Sequence, residues 1–112
     1  MSHELYAHLL SDSQVYIHYT DEGGLNGILR SGVIRPNFKG VVYLSQEPLK
    51  VSETHNALFI GASTHEGRGT HVLVLRLDLG LPVTRLTAFE SSVSQIIRLD
   101  QHRVIYSGPN PF

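Results

Sequence analysis

The sequence contains no cysteine. A disulfide framework, a thiolate metal site and a cysteine nucleophile are therefore excluded. Charge is scarce as well. Asp, Glu, Lys and Arg make up 17% of the residues, nine basic against ten acidic, for a net charge of −1. That balance argues against broad electrostatic binding to nucleic acid or membrane, while leaving room for a small local basic patch. No apolar run approaches the ~20 residues needed to span a bilayer. The opening MSHELYAHLL has neither the basic start nor the long apolar centre of a secretory signal. Internal repeats and low-complexity tracts are also missing.

Several catalytic signatures are absent too. No G-x-S-x-G elbow supports a serine nucleophile. Seven histidines are many for this length, but no H-E-x-x-H, H-x-x-x-H or H-x-H pair joins them in one element. His65–Glu66 falls in a glycine-punctuated loop. "DEGGLNG" places glycines before a helix, yet it is neither G-x-G-x-x-G nor a phosphate loop with its lysine.

What is present suits one globular domain over residues 1–112. Hydrophobic residues reach 41%, enough for a core without staples. Residues 3–11 read as a short helix or ordered arm with Leu5, Leu9 and Leu10 on one face. Residues 14–19 read as a strand. Asp21 is a plausible N-cap, Leu25, Ile28 and Leu29 recur at helical spacing, and Gly32 sits where a glycine ends a helix. Gly23, Gly24 and Gly27 weaken that helix, or let a ligand or backbone come close. Residues 41–44 form a short strand, 53–62 a short helix with Ala57, Leu58 and Ile60 partly buried, and 71–79 the clearest strand. Residues 83–87 read as a further strand, 89–95 as a loop or turn, and "QIIRL" and "RVIY" as two strands or one bent one. The order is strand, helix, strand, helix, then several strands. That is an α+β class with a strand-rich C-terminal half.

The positive signal is a combination of short motifs. His18, Tyr19 and Thr20 end the first strand with an imidazole, a phenol and a hydroxyl. They read either as polar groups at a strand terminus or as the lining of a ligand slot. The helix "LNGILRSGVIRP" follows. Then "GVVYLS" places Tyr43 and Ser45 two apart, on one face of a strand. "HYT" (18–20), "GILRSGVIRP" (27–36) and "VYLS" (42–45), in that order, resemble the ADP-ribosyltransferase superfamily. The likeness is to its His–Tyr–acid branch, and within it to small bacterial toxin-type domains with a His–Tyr–Asp signature. It covers residues 15–45 well and 53–106 more loosely.

The resemblance implies an ADP-ribosyltransferase-like split β-sheet core with short flanking helices. It implies NAD as substrate and mono-ADP-ribosyl transfer to a macromolecular acceptor, protein or nucleic acid. His18 would hydrogen-bond the nicotinamide ribose, and the backbone of Tyr19 would hold the carboxamide. Tyr43 would stack on the nicotinamide, as suits a flat cationic ring. Thr20 and Ser45 are further polar contacts, and Phe59 would cover the ring's second face. A carboxylate beside the leaving sugar would stabilise its developing positive charge. The family places this acid at the start of the last motif strand, where Gln101 or His102 stands and Asp100 lies beside them. The third catalytic residue is therefore Asp100, Gln101 or His102, or is absent. Alternatives are an NAD glycohydrolase, an RNA 2′-phosphotransferase-like enzyme and a non-catalytic NAD or ADP-ribose-binding module. The resemblance also implies a cognate immunity or inhibitor protein as partner. It implies no membrane partner, and a setting in the cytoplasm or, after delivery, in that of a target cell.

Plainer readings stand beside these. His18 can be a satisfied strand-end histidine, Tyr43 and Phe59 core aromatics, and Ser45 and Asp100 turn residues. His71 can be structural and Arg68 simply solvated.

Overall fold

The computed structural model describes residues 7, 9, 11–36, 40–57, 69–77, 81–87 and 90–112, with the backbone alone at 55–57. Strand β1 (Val15–Thr20) leads into helix α1 (Glu22–Ser31), and a short β2 (Val33–Ile34) and β3 (Val42–Leu44) follow. Helix α2 (Val51–Ala57) precedes β4 (His71–Arg76), β5 (Val83–Arg85), β6 (Ser91–Val93) and β7 (Ile97–Arg98). A 3₁₀ turn, η1 (Leu99–Gln101), then delivers the chain to β8 (Arg103–Pro109).

All pairing among these strands is antiparallel, in three small sheets. The orders are β1-β4-β8, β3-β6-β5 and the two-stranded ribbon β2-β7. Strand β4 is central to the first sheet and buried on both faces. Leu73 and Leu75 enter one core with Leu25, Ile28, Ile34, Leu44, Val93 and Ile97. Val72 and Val74 enter a second with Val15, Ile17, Tyr19 and Leu49. This explains the near-continuous apolar run "HVLVL", since a strand covered on both sides has no solvent face to carry polar residues.

Helix α1 begins where its sequence directs. The Asp21 carboxylate accepts a hydrogen bond from the Gly24 N–H at 2.6 Å, satisfying one of the donors a helix start leaves over. Gly32 ends the helix with φ at 75° and donates its N–H to the Ile28 carbonyl, the left-handed cap that glycine adopts without strain. Gly24 has a packing reason to be glycine, because a Cβ there would overlap the Thr20 hydroxyl. Gly27 meets nothing and lies on the open face.

Two expected boundaries differ, and one open alternative is decided. The segment 89–95 is not simply a loop. It holds β6, the middle strand of its sheet, closed against β5 by the Leu86 and Thr87 N–H groups donating to the Glu90 carbonyl. "SSV" carries little apolar or β-branched character, so pairing rather than propensity makes it a strand. "QIIRL" and "RVIY" are two strands separated by η1. Helix α2 starts at Val51, two residues ahead of the expected start, with the Glu53 carboxylate accepting from the Lys50 N–H. Positions 7, 9 and 11 of the N-terminal segment are helical. Leu5, Leu10, Leu58, Ile60 and the strand end at 78–79 lie outside the described residues. Among the described residues, no helix is long and apolar enough to cross a membrane.

Candidate functional site

The first two sheets touch through one backbone bridge. Ile17 N–H donates to Ser45 O at 2.6 Å, and Ser45 N–H to Ile17 O at 2.8 Å. Strand edges alternate, so if Ile17 presents its N–H and C=O toward β3, Tyr19 does the same two residues on. Tyr43 likewise presents its own toward β1. A continued ladder would therefore pair Tyr19 with Tyr43. The pairing stops at the bridge instead, and the strands fork.

The His18 ring occupies that fork, with Nδ1 2.9 Å from the Tyr43 carbonyl oxygen. A carbonyl only accepts, so this contact assigns the Nδ1 proton. In the neutral ring Nε2 is then an acceptor. The sequence motif thus becomes a geometry: the imidazole takes the carbonyl that the next ladder step would have used.

The faces of β3 are sorted by burial. Val42 and Leu44 enter the core, so Tyr43 and Ser45 share the opposite face. In β6, Val93 enters the same core and Tyr43 pairs with Ser92. Ser92 therefore joins Tyr43. The register ends at Leu44–Ser91; continued one step further, it would set Glu90 opposite Ser45. Glu90 is only 3% exposed, Ser45 1% and Ser92 6%. Glu90 is thus a buried carboxylate, a group rarely found fully buried unless it is paired.

The remaining expected residues divide sharply. Tyr19 is buried, and its phenol serves the segment after β3: it donates to the Glu47 carbonyl at 2.6 Å and accepts from the Leu49 N–H at 2.7 Å. Ser45 Oγ accepts from the Glu47 N–H at 3.0 Å, closing a turn. Thr20 is buried against Gly24. His71, opposite Thr20, sits 3.7 Å from the Glu22 carboxylate, with its Nδ1 3.0 Å from the Thr70 hydroxyl. Phe59, Arg68 and His65–Glu66 lie outside the described residues.

Asp100, Gln101 and His102 are not brought to the fork. Asp100 and Gln101 are in η1, which is tied to the end of α1 by the Leu99 N–H donating to the Gly32 carbonyl. Arg103, just beyond, pairs with Arg76, which pairs with Val15. His18 instead stands in the row of Leu73 and Ser107. Ten residues of α1 separate the two ends, about 15 Å at 1.5 Å per residue.

Glu90 lies outside the sequence motifs. Its signal is an acid directly ahead of a strand, in "FESSV", hidden because the serines disguised that strand. Among the described residues, no group of three or more His, Asp or Glu is placed to hold a metal. The chain matches no family model, no curated protein and no solved structure.

Proposed function

We propose that this chain cleaves the nicotinamide–ribose bond of NAD and transfers ADP-ribose to a macromolecular acceptor, as a toxin- or effector-like mono-ADP-ribosyltransferase. The observation that carries the reading is the fork, with an imidazole fixed by the Tyr43 carbonyl; the buried Glu90, directly ahead of β6, is taken with it as the acid. The motif resemblance over residues 15–45 supports it independently.

In this reading His18 Nε2 accepts a hydrogen bond from a hydroxyl of the nicotinamide ribose. The Tyr19 N–H and C=O, directed toward β3, match the carbonyl and amine of the carboxamide. Tyr43 lies against the nicotinamide face, where stacking on a cationic ring contributes on the order of 1 kcal/mol. Glu90 replaces the η1 residues as the acid. The C1″–N bond breaks and its electron pair goes to the nicotinamide nitrogen, which becomes neutral. Positive charge then builds on the ribose, where a pre-placed carboxylate in a dry site stabilises it strongly. The acceptor nucleophile forms the new bond at C1″ and loses its proton.

The test is nicotinamide release and transfer of labelled ADP-ribose by the purified chain. His18→Ala and Glu90→Gln are each expected to lower nicotinamide release by about 10²-fold or more. Asp100→Asn, at the far end of α1, is expected to leave it unchanged. Release without labelling of any acceptor would assign a glycohydrolase. NAD raising the melting temperature without turnover would assign a binding module. No thermal shift and no release would overturn the reading.

A further inference from the structure

The net charge of −1 conceals an uneven distribution. Segments 23–46 and 91–112 hold five basic side chains and one acidic one, leaving the rest of the chain strongly acidic. The fold draws these two segments together at one place. Val33 pairs with Arg98 and Ile34 with Ile97 in the β2–β7 ribbon, and Leu99 N–H donates to Gly32 O beside it.

The ribbon has an inner and an outer face. Ile34 and Ile97 are 1% and 0% exposed and enter the core. Their neighbours must therefore project outward. Arg35 and Arg98 fall on that outer face in diagonal positions, where Cβ atoms lie roughly 7–8 Å apart. Both are exposed, and Ile96 beside them is 42% exposed. Arg30, in the last turn of α1, and Arg103, two residues past η1, flank the ribbon strands along the chain and are exposed as well. None of these four arginines forms an ion pair with a described residue. Asp100 is the one acidic side chain of these two segments.

We propose that this outer face is a docking surface for the phosphate backbone of a single-stranded nucleic acid. Arg35 and Arg98 share this face, and with Arg30 and Arg103 nearby along the chain they outnumber the one local acid, Asp100, so a polyanion meets an excess of positive charge. All four are arginines, whose planar fork matches two phosphate oxygens and stacks on bases. The half-buried Val33 and exposed Ile96 between Arg35 and Arg98 give a base an apolar seat between two phosphate contacts. An acidic protein would meet the same charges but gains less from that narrow strip. This inference stands apart from NAD cleavage and is tested without it.

The test is fluorescence anisotropy of a labelled single-stranded RNA of mixed sequence, titrated with the whole chain over a salt series. Four phosphates neutralised on a single strand give a log–log salt slope of about −2.8, hence about 50-fold weaker binding on going from about 50 to about 200 mM salt. Arg35→Ala combined with Arg98→Ala is expected to bring the slope to about −1.4. Lys50→Ala, an exposed cation elsewhere, removes one charge and is expected to bind as wild type does. No RNA binding at low salt overturns the proposal. So does equal weakening by Lys50→Ala, which would make the attraction general. Poly-glutamate bound through Arg35 and Arg98 in place of RNA would also overturn it and assign the face to an acidic protein.

Discussion

His18 shows how one hydrogen bond can decide a side chain's chemistry. Donation from Nδ1 to the Tyr43 carbonyl fixes both the tautomer and the ring direction. Two residues later the same economy appears in packing. Thr20 is buried because Gly24, one turn into α1, has no side chain to displace it. Gly27 has no such duty, since nothing lies within 4 Å of a Cβ placed there. The two glycines should therefore respond in opposite ways to alanine. Gly27→Ala is expected to stabilise the chain by about 0.5–1 kcal/mol, through helix propensity and a less mobile unfolded chain. Gly24→Ala is expected to destabilise it by roughly 1–3 kcal/mol, because overpacking forces Thr20 to move. Urea unfolding of the two variants measures both signs.

Elements, rather than residues, explain what could be read in advance. β1, α1 and β3 announce themselves through β-branched runs, an Asp cap and a glycine stop, and these three elements build the fork. The elements that set His18 beside Tyr43 were legible for that reason. Glu90 was not, because "SSV" has no strand signature of its own and becomes one only by pairing with β3 and β5. Asp100, Gln101 and His102 stood open as the acid because they precede "RVIY", but η1 turns the chain at the far end of α1, away from the fork. Nor does sequence reveal that the Tyr19 side chain works as a strap. Its phenol holds Glu47 and Leu49, while Asn110 Nδ2 donates to the Leu49 and Gly69 carbonyls at 3.0 and 2.9 Å. The segment leading into α2 is thus pinned from β1 and from the C-terminal tail. Tyr19→Phe leaves the Leu49 N–H and the Glu47 carbonyl without the phenol, at a cost of about 1–3 kcal/mol. The expected result is a lower melting temperature, with local opening visible as faster amide exchange at Leu49.

At the scale of the molecule, the two cores meet on β4. Leu73 and Leu75 face the core shared with α1, the ribbon and the β3–β6 pair, and Val72 and Val74 face the one shared with Tyr19 and Leu49. The fork therefore does not separate independent halves. The His18 sheet and the Tyr43 sheet share a single apolar mass beneath it. Leu73 is fully buried there and directly opposite both His18 and Ser107. Leu73→Ala removes apolar contacts and leaves a cavity that two sheets and a helix cannot easily close, so about 2–5 kcal/mol of stability is expected to be lost. If the cores are coupled through β4, fluorescence from the tyrosines and far-ultraviolet dichroism must report one coincident urea transition, shifted to lower denaturant in the variant. Two separated transitions would show instead that the cores unfold independently. The fork would then be a junction between two folding units rather than a cleft in one.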